Sequence, residues 1–132
     1  MMLAAVDKLN RARGVHPLLM WCILTAAVRW HREGRLLRIT EGVRTADRQK
    51  RLLEQGRSMT LNSYHLKGLA VDVAILHRGK AIWDFREFER FNEYVQEAAG
   101  KIGAHVTWGG EWETLKDGPH FQLEGYDGWL KG

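Results

Sequence analysis

The sequence predicts an α+β domain in which a small, mostly antiparallel sheet is flanked by helices. Three observations carry that expectation. Helical periodicity dominates the first part of the chain and strand patterns the later part. A turn at His77-Arg78-Gly79-Lys80 joins two apolar segments as a hairpin. The 132 residues hold no internal repeat, low-complexity tract or Pro/Ser-rich linker, so one domain spanning 1–132 is expected.

A first helix is expected from Leu3 to Ala12, closed by Gly14. A second runs from Pro17 to Arg32, since Pro17 suits a first helical turn and Gly34 a stop. Leu36 to Thr40 reads as a strand that leads into the loop Glu41-Gly42-Val43-Arg44-Thr45. Thr45 is an N-cap candidate for a helix over 46–55, ended by Gly56. The Ser-, Thr-, Asn- and Gly-containing stretch 57–67 reads as a long loop. Leu69 to Leu76 is a strand whose apolar run is interrupted by Asp72, and the hairpin turn then leads into 81–83. Phe85, Phe88, Phe91, Val95 and Ala98 recur at helical spacing, which gives an amphipathic helix over 84–99 with Asp84 as its cap. Ala104 to Trp108 and Pro119 to Leu123 complete the strands, with a loop over 109–118 between them. In the tail, Tyr126 and Trp129 are expected to pack back onto the body.

Composition narrows the function classes. Hydrophobic residues at 45% and charged ones at 27% are ordinary for a globular protein, and a chain this long needs no disulfide or metal merely to fold. A single cysteine, Cys22, rules out an internal disulfide and a Cys-rich zinc knuckle, so any metal must be held by His, Asp or Glu. The net charge of +4 comes from dispersed Lys and Arg without a recognition motif, so no nucleic-acid partner is expected. The longest apolar stretch, Leu18 to Val28, has 11 residues, short of the roughly 20 that a membrane span needs. No stable membrane insertion is therefore expected. A charged stretch containing Asp7 precedes that segment and no clean cleavage site follows, so a buried helix suits it better than a signal peptide.

Asp72 is the first chemical anomaly. A carboxylate within an apolar strand either meets a cation or several donors, or lies on a solvated face while Val71 and Val73 point inward. His65 sits on a Gly-punctuated loop seven positions earlier, and His120 stands at the mouth of a strand three residues after Asp117. His65, Asp72 and His120 together make a two-His, one-carboxylate set, which holds zinc while leaving a coordination position for water. Such a set, free of thiolate, suits a catalytic site better than a structural one. Single histidines are more often surface or packing residues, and His16, His31, His77 and His105 are read that way. No His-Glu-x-x-His helix is present. Spacing by itself leaves both readings open.

Four ordered segments then carry a resemblance. Ser-x-His-x-x-Gly-x-Ala-x-Asp, present as Ser63, His65, Gly68, Ala70 and Asp72, is similar to the first metal motif of the LAS-type zinc metallopeptidases. That family includes D-Ala-D-Ala carboxypeptidases, D-Ala-D-Ala dipeptidases and phage L-alanyl-D-glutamate endolysins. Asp117-Gly118-Pro119-His120 looks like its second motif, and Trp108-Gly109-Gly110-Glu111-Trp112 resembles a Gly-Gly-x-Trp segment of the endolysin branch. Ile39 to Thr45, with Gln49 and Gln55-Gly56-Arg57, resembles the family's Gly-x-Arg-Thr segment. The matches run over 36–123 in the family's order.

The resemblance implies a Hedgehog/D-Ala-D-Ala-peptidase-like fold with a Zn2+ site at the sheet edge, bound by His65, Asp72 and His120. It implies Asp117 as general base and then general acid. Glu111 and Glu113 are rivals in the same loop, because many relatives carry the longer Glu at the position of Asp117. Arg44 and Ser63 correspond to residues beside the substrate, and Trp112 to a wall of the cleft, with Trp108 a core residue. The bland alternatives are an Arg44 ion pair with Glu41 or Asp47, and a turn cap for Ser63. The chemistry suits the residue types: zinc acidifies water, a carboxylate takes and returns the proton, and arginine meets an oxyanion or a substrate carboxylate.

The function expected from the resemblance is zinc-dependent hydrolysis of peptidoglycan stem peptides between L-Ala and D-Glu. The expected setting is a monomeric phage or prophage endolysin, made in the host bacterial cytoplasm and reaching the cell wall with holin-type help. A D-Ala-D-Ala carboxypeptidase or dipeptidase is the runner-up. A non-catalytic zinc-containing cell-wall binding module is the alternative of another class, and an acid at Asp117 beside His120 argues against it.

Overall fold

Short β-branched and aliphatic runs form the strands, and two long apolar stripes form the helices that cover them. The computed structural model describes residues 5–58 and 63–126. Its strands are β1 (Val6–Asp7), β2 (Leu36–Glu41), β3 (Ala70–His77), β4 (Lys80–Ile82), β5 (Val106–Trp108) and β6 (His120–Leu123). Its helices are α1 (Pro17–His31), α2 (Ala46–Glu54) and α3 (Phe85–Ile102). The sheet order is β1-β2-β3-β6-β5, with β4 hairpinned onto β3. Only β1 pairs in parallel; the other pairings are antiparallel, so the α+β class read from the sequence holds.

The register gives the sheet two unlike faces. Leu37 lies opposite Ile75, Ile39 opposite Val73, and Val71 opposite Phe121, so these side chains share one face. They pack with Leu19, Ile23 and Trp30 of α1 and with Phe88, Phe91 and Val95 of α3 into a single core. Burying a side chain the size of Phe91 contributes roughly 1.5–3 kcal/mol, so this layer dominates stability. Asp72, paired with His120, points to the other face, and α2 with its flanking loops stands on that side.

A bulge in β2 sets what else reaches the polar face. Ile39 pairs with Val73 but Glu41 pairs with Asp72, so two steps along β2 match one along β3 and Thr40 is left over. An uninterrupted strand would send Glu41 into the core with Ile39; the extra residue turns it to the side of Asp72.

Caps fix the helix starts. The Leu18 N–H donates to His16 Nδ1, Thr45 Oγ1 accepts from the Arg48 N–H, and Asp84 Oδ1 accepts from the Arg86 N–H. One expected element is different. The helix read over 3–12 is replaced, within the described residues, by β1 and a 3-10 turn at Leu9–Ala12. Val6 finds a partner in Leu37, and Lys8 has a φ of 61°, which ends any right-handed helix there. Helix α3 also continues to Ile102, past the expected end. Tyr126 packs on His16 with ring centroids 4.6 Å apart, whereas Leu3 and Trp129 lie outside the described residues. Among the described residues no helix is long and apolar enough to cross a membrane.

Candidate metal centre and cleft

Where β6 begins beside β3, antiparallel pairing puts His120 directly opposite Asp72. His120 Nδ1 lies 2.9 Å from Asp72 Oδ1. His65 arrives from a 3-10 turn, Tyr64–Lys67, that Ser63 caps by accepting from the His65 N–H, and its Nε2 lies 3.2 Å from the same oxygen. One ligand atom from each of these three residues lies within 4.8 Å of the others. Both imidazoles are buried and Asp72 is partly buried.

The donor set fits a divalent ion. The Gly42 carbonyl accepts from His65 Nδ1 at 2.8 Å, which leaves Nε2, facing Asp72, as the nitrogen that would bind an ion. A second hydrogen bond that orients the imidazole in this way is the usual companion of a metal-binding histidine. Gly42 is there for space: a Cβ at this position would lie 2.3 Å from the Arg11 carbonyl oxygen. His120 Nε2 is 2.8 Å from Gln122 Oε1.

The electrostatics bind the three groups together. Burial alone would raise the Asp72 carboxyl, but hydrogen bonds from His120 and His65, and their charge, hold it far below the usual carboxylate range. Burial works to lower the His120 imidazole, and the bond and charge of Asp72 outweigh it, so its pKa is raised. Asp117 is pushed up, first by burial and then by the neighbouring charge of Asp72.

The centre opens into a cleft of about 730 Å3, within the range of small-molecule sites. All seven site residues expected from the sequence border it: His65, Asp72 and His120, with Asp117, Arg44, Ser63 and Trp112 around them. Of the two rival carboxylates, Glu113 borders the cleft and Glu111 does not. The Trp112 ring stands 5.1 Å from the His120 ring, centroid to centroid, whereas Trp108 is buried and its Nε1–H donates to the Gly118 carbonyl at 2.7 Å. That bond ties down the loop carrying Asp117. Gly109 lets the loop close, because a Cβ there would lie 2.5 Å from the Asp117 carbonyl oxygen and 3.1 Å from the His120 Cβ.

Arg44 makes the ion pair that the sequence allowed, and it also borders the cleft. Its Nε and Nη2 donate to the two Glu41 oxygens at 2.9 and 2.7 Å, and its Nη1 donates to Gln49 Oε1 at 2.6 Å. The same Nη2 is 4.0 Å from Asp72 Oδ2. The pair is Glu41 rather than Asp47, and with the Arg44 side chain only 9% exposed it is no surface contact. Arg48 Nε donates to Glu41 as well, at 2.6 Å. Burial opposes these bonds, yet they hold the Glu41 carboxyl below its ordinary value.

Sequence reading gave no role to Gln122, Glu124 and Tyr64. The Gln122 Nε2 donates to Glu124 Oε2 at 2.9 Å, and the Tyr64 hydroxyl donates to Glu124 Oε1 at 2.6 Å. The available signal was alternation: His120, Gln122 and Glu124 follow one another at a strand's two-residue period.

The solved structure of the Serratia marcescens L-Ala D-Glu endopeptidase ChiX superposes with a TM-score of 0.79 and 41% identity, covering 89% of this chain and 86% of that one. The L-alanyl-D-glutamate peptidase of Listeria phage A118 is 34% identical over 86 residues, or 64% of this chain. The match covers 29% of that curated relative's length. The family model described as phage L-alanyl-D-glutamate peptidase matches residues 5–128. The chain belongs to the phage L-alanyl-D-glutamate peptidase family.

Proposed function

We propose that the protein is a zinc-dependent peptidase that hydrolyses peptidoglycan stem peptides between L-Ala and D-Glu, as a phage or prophage endolysin. The carrying observation is the convergence of His65, Asp72 and His120 beside Asp117 in one cleft. Family membership supports the choice of bond over the D-Ala-D-Ala peptidase alternative.

In this reading His65 Nε2, an Asp72 oxygen and His120 Nδ1 hold the ion. Bound there, zinc supplies Lewis acidity and water acidified toward neutral pH. Asp117 takes a proton from the attacking water and returns it to the D-Glu nitrogen as the C–N bond breaks. Arg44, already oriented by Glu41 and Gln49, meets negative charge on the substrate, either the developing oxyanion or a stem-peptide carboxylate. Ser63 and Trp112 contribute a polar and an aromatic wall. The proposed setting is synthesis in the host cytoplasm followed by holin-type release to the wall, with the protein acting as a monomer.

Purified peptidoglycan incubated with the protein tests the reading. Mass analysis is expected to find new L-Ala carboxyl and D-Glu amino termini, lost on chelation and regained with zinc. Release of terminal D-Ala instead would favour the carboxypeptidase reading, and no release at all the binding-module reading.

A further inference from the structure

We propose that Tyr64, Glu124 and Gln122 form a hydrogen-bond relay that selects which nitrogen of His120 faces the metal centre, with Gln122 as its positioning residue. The inference rests on the metal-binding part of the function proposed above.

The Tyr64 hydroxyl is bonded to one Glu124 oxygen at 2.6 Å, and Thr107 hydrogen-bonds the same carboxylate. An ionised carboxylate only accepts. The Gln122 group 2.9 Å from the other Glu124 oxygen is therefore the NH2 group, which leaves the amide oxygen facing His120 at 2.8 Å. An amide oxygen also only accepts, and so does the Asp72 carboxylate beside Nδ1; once an ion occupies the Asp72 side, Gln122 is the acceptor left to the ring and the proton sits on Nε2. Nδ1, 2.9 Å from Asp72 Oδ1, then offers its lone pair to the centre.

A flipped amide would donate to Nε2, drive the proton to Nδ1 and block that nitrogen as a ligand. Glu124 prevents the flip. The two imidazoles are thus oriented by different means: His65 by the Gly42 main-chain carbonyl, which no substitution removes, and His120 by side chains. Tyr64 precedes His65 on the 3-10 turn, so the relay also ties that turn to the strand carrying His120.

Three proteins test this by zinc affinity, measured by competition with a chromophoric chelator, and by 15N NMR of the His120 ring. They are the wild type, Gln122→Leu and the swap Gln122→Glu/Glu124→Gln. Gln122→Leu is expected to weaken zinc binding by about 10- to 100-fold, with the wild-type melting temperature retained in the metal-free form. The swap keeps an acceptor beside His120 and a donor beside that acceptor, so it is expected to recover most of the affinity. The ring is expected to be protonated at Nε2 in the zinc-loaded wild type and swap. Wild-type affinity in Gln122→Leu, failure of a folded swap to recover affinity, or protonation at Nδ1 overturns the relay alone. A wild type that takes up no zinc overturns the function proposed above and the relay with it.

Discussion

Glu41 and Asp72 stand opposite each other across the β2–β3 ladder with one guanidinium nitrogen serving both: Arg44 Nη2 is 2.7 Å from Glu41 and 4.0 Å from Asp72. The bulge at Thr40 creates this relationship. It brings a second carboxylate to the margin of the centre together with the cation that neutralises it.

That arrangement makes Glu41 a source of acid sensitivity. Its folded-state pKa lies below the ordinary 4.5, so its contribution to stability is fully present above that value and is lost as pH falls through the folded value. Glu41→Gln is therefore expected to be less stable than the wild type at pH 6–7, with the difference narrowing toward pH 3. Urea unfolding of metal-free protein across that range measures it. A gap that stays constant with pH would show that the charge of Glu41 is not what matters.

Ligands and base separate by their effect on metal. His65→Ala and His120→Ala are each expected to lose both zinc and lytic activity, whereas Asp117→Ala keeps zinc and loses about 10²- to 10⁴-fold in turnover. Zinc content after dialysis, alongside peptidoglycan digestion, distinguishes the two outcomes. An active Asp117→Ala protein would transfer the role of base to Glu113, the rival carboxylate that borders the cleft.

Arg44→Ala is expected to act on both stability and substrate handling. It strips Glu41 of a paired hydrogen bond in a half-buried place, at a cost of about 2 kcal/mol, and it lowers kcat/KM. Arg44→Lys restores charge without the fork that meets both Glu41 oxygens, so it is expected to recover little. Thermal melts and kinetics on a synthetic stem peptide read the two effects separately.

Gly109→Ala places a methyl group against the Asp117 carbonyl and the His120 Cβ. Overpacking there is expected to cost about 1–3 kcal/mol and to displace the Asp117 loop. Activity is expected to fall more than zinc affinity, a difference that isothermal titration set beside digestion assays reveals.

The sequence displayed strands β2 to β6, the Thr45 and Asp84 caps and the ordered motifs because each is local. Thr45 and Asp84 announce their helices, and the Phe85-to-Ala98 stripe announces the helix that covers the core. The site residues were legible as motif members, but their meeting was not: His65 and His120 are 55 positions apart and share a centre through β3–β6 pairing. The bulge at Thr40 left no mark in the hydrophobic pattern, so Glu41 read as a loop residue. Val6 misled for a related reason, since its preference for a helix or strand is decided by Leu37, thirty-one residues away. The Gln122–Glu124 pair lay in an alternation too short to stand out before its strand was known.

A slab that keeps oil on one side and reactive groups on the other also separates two engineering problems. Leu19, Ile23, Phe91 and Val95 form the helical half of the oily layer, and none of them borders the cleft. Repacking that half for heat resistance therefore touches neither the ligands nor the base. The opposite surface can meanwhile be recut for a different peptide sequence, and the two sets of changes are expected to combine additively.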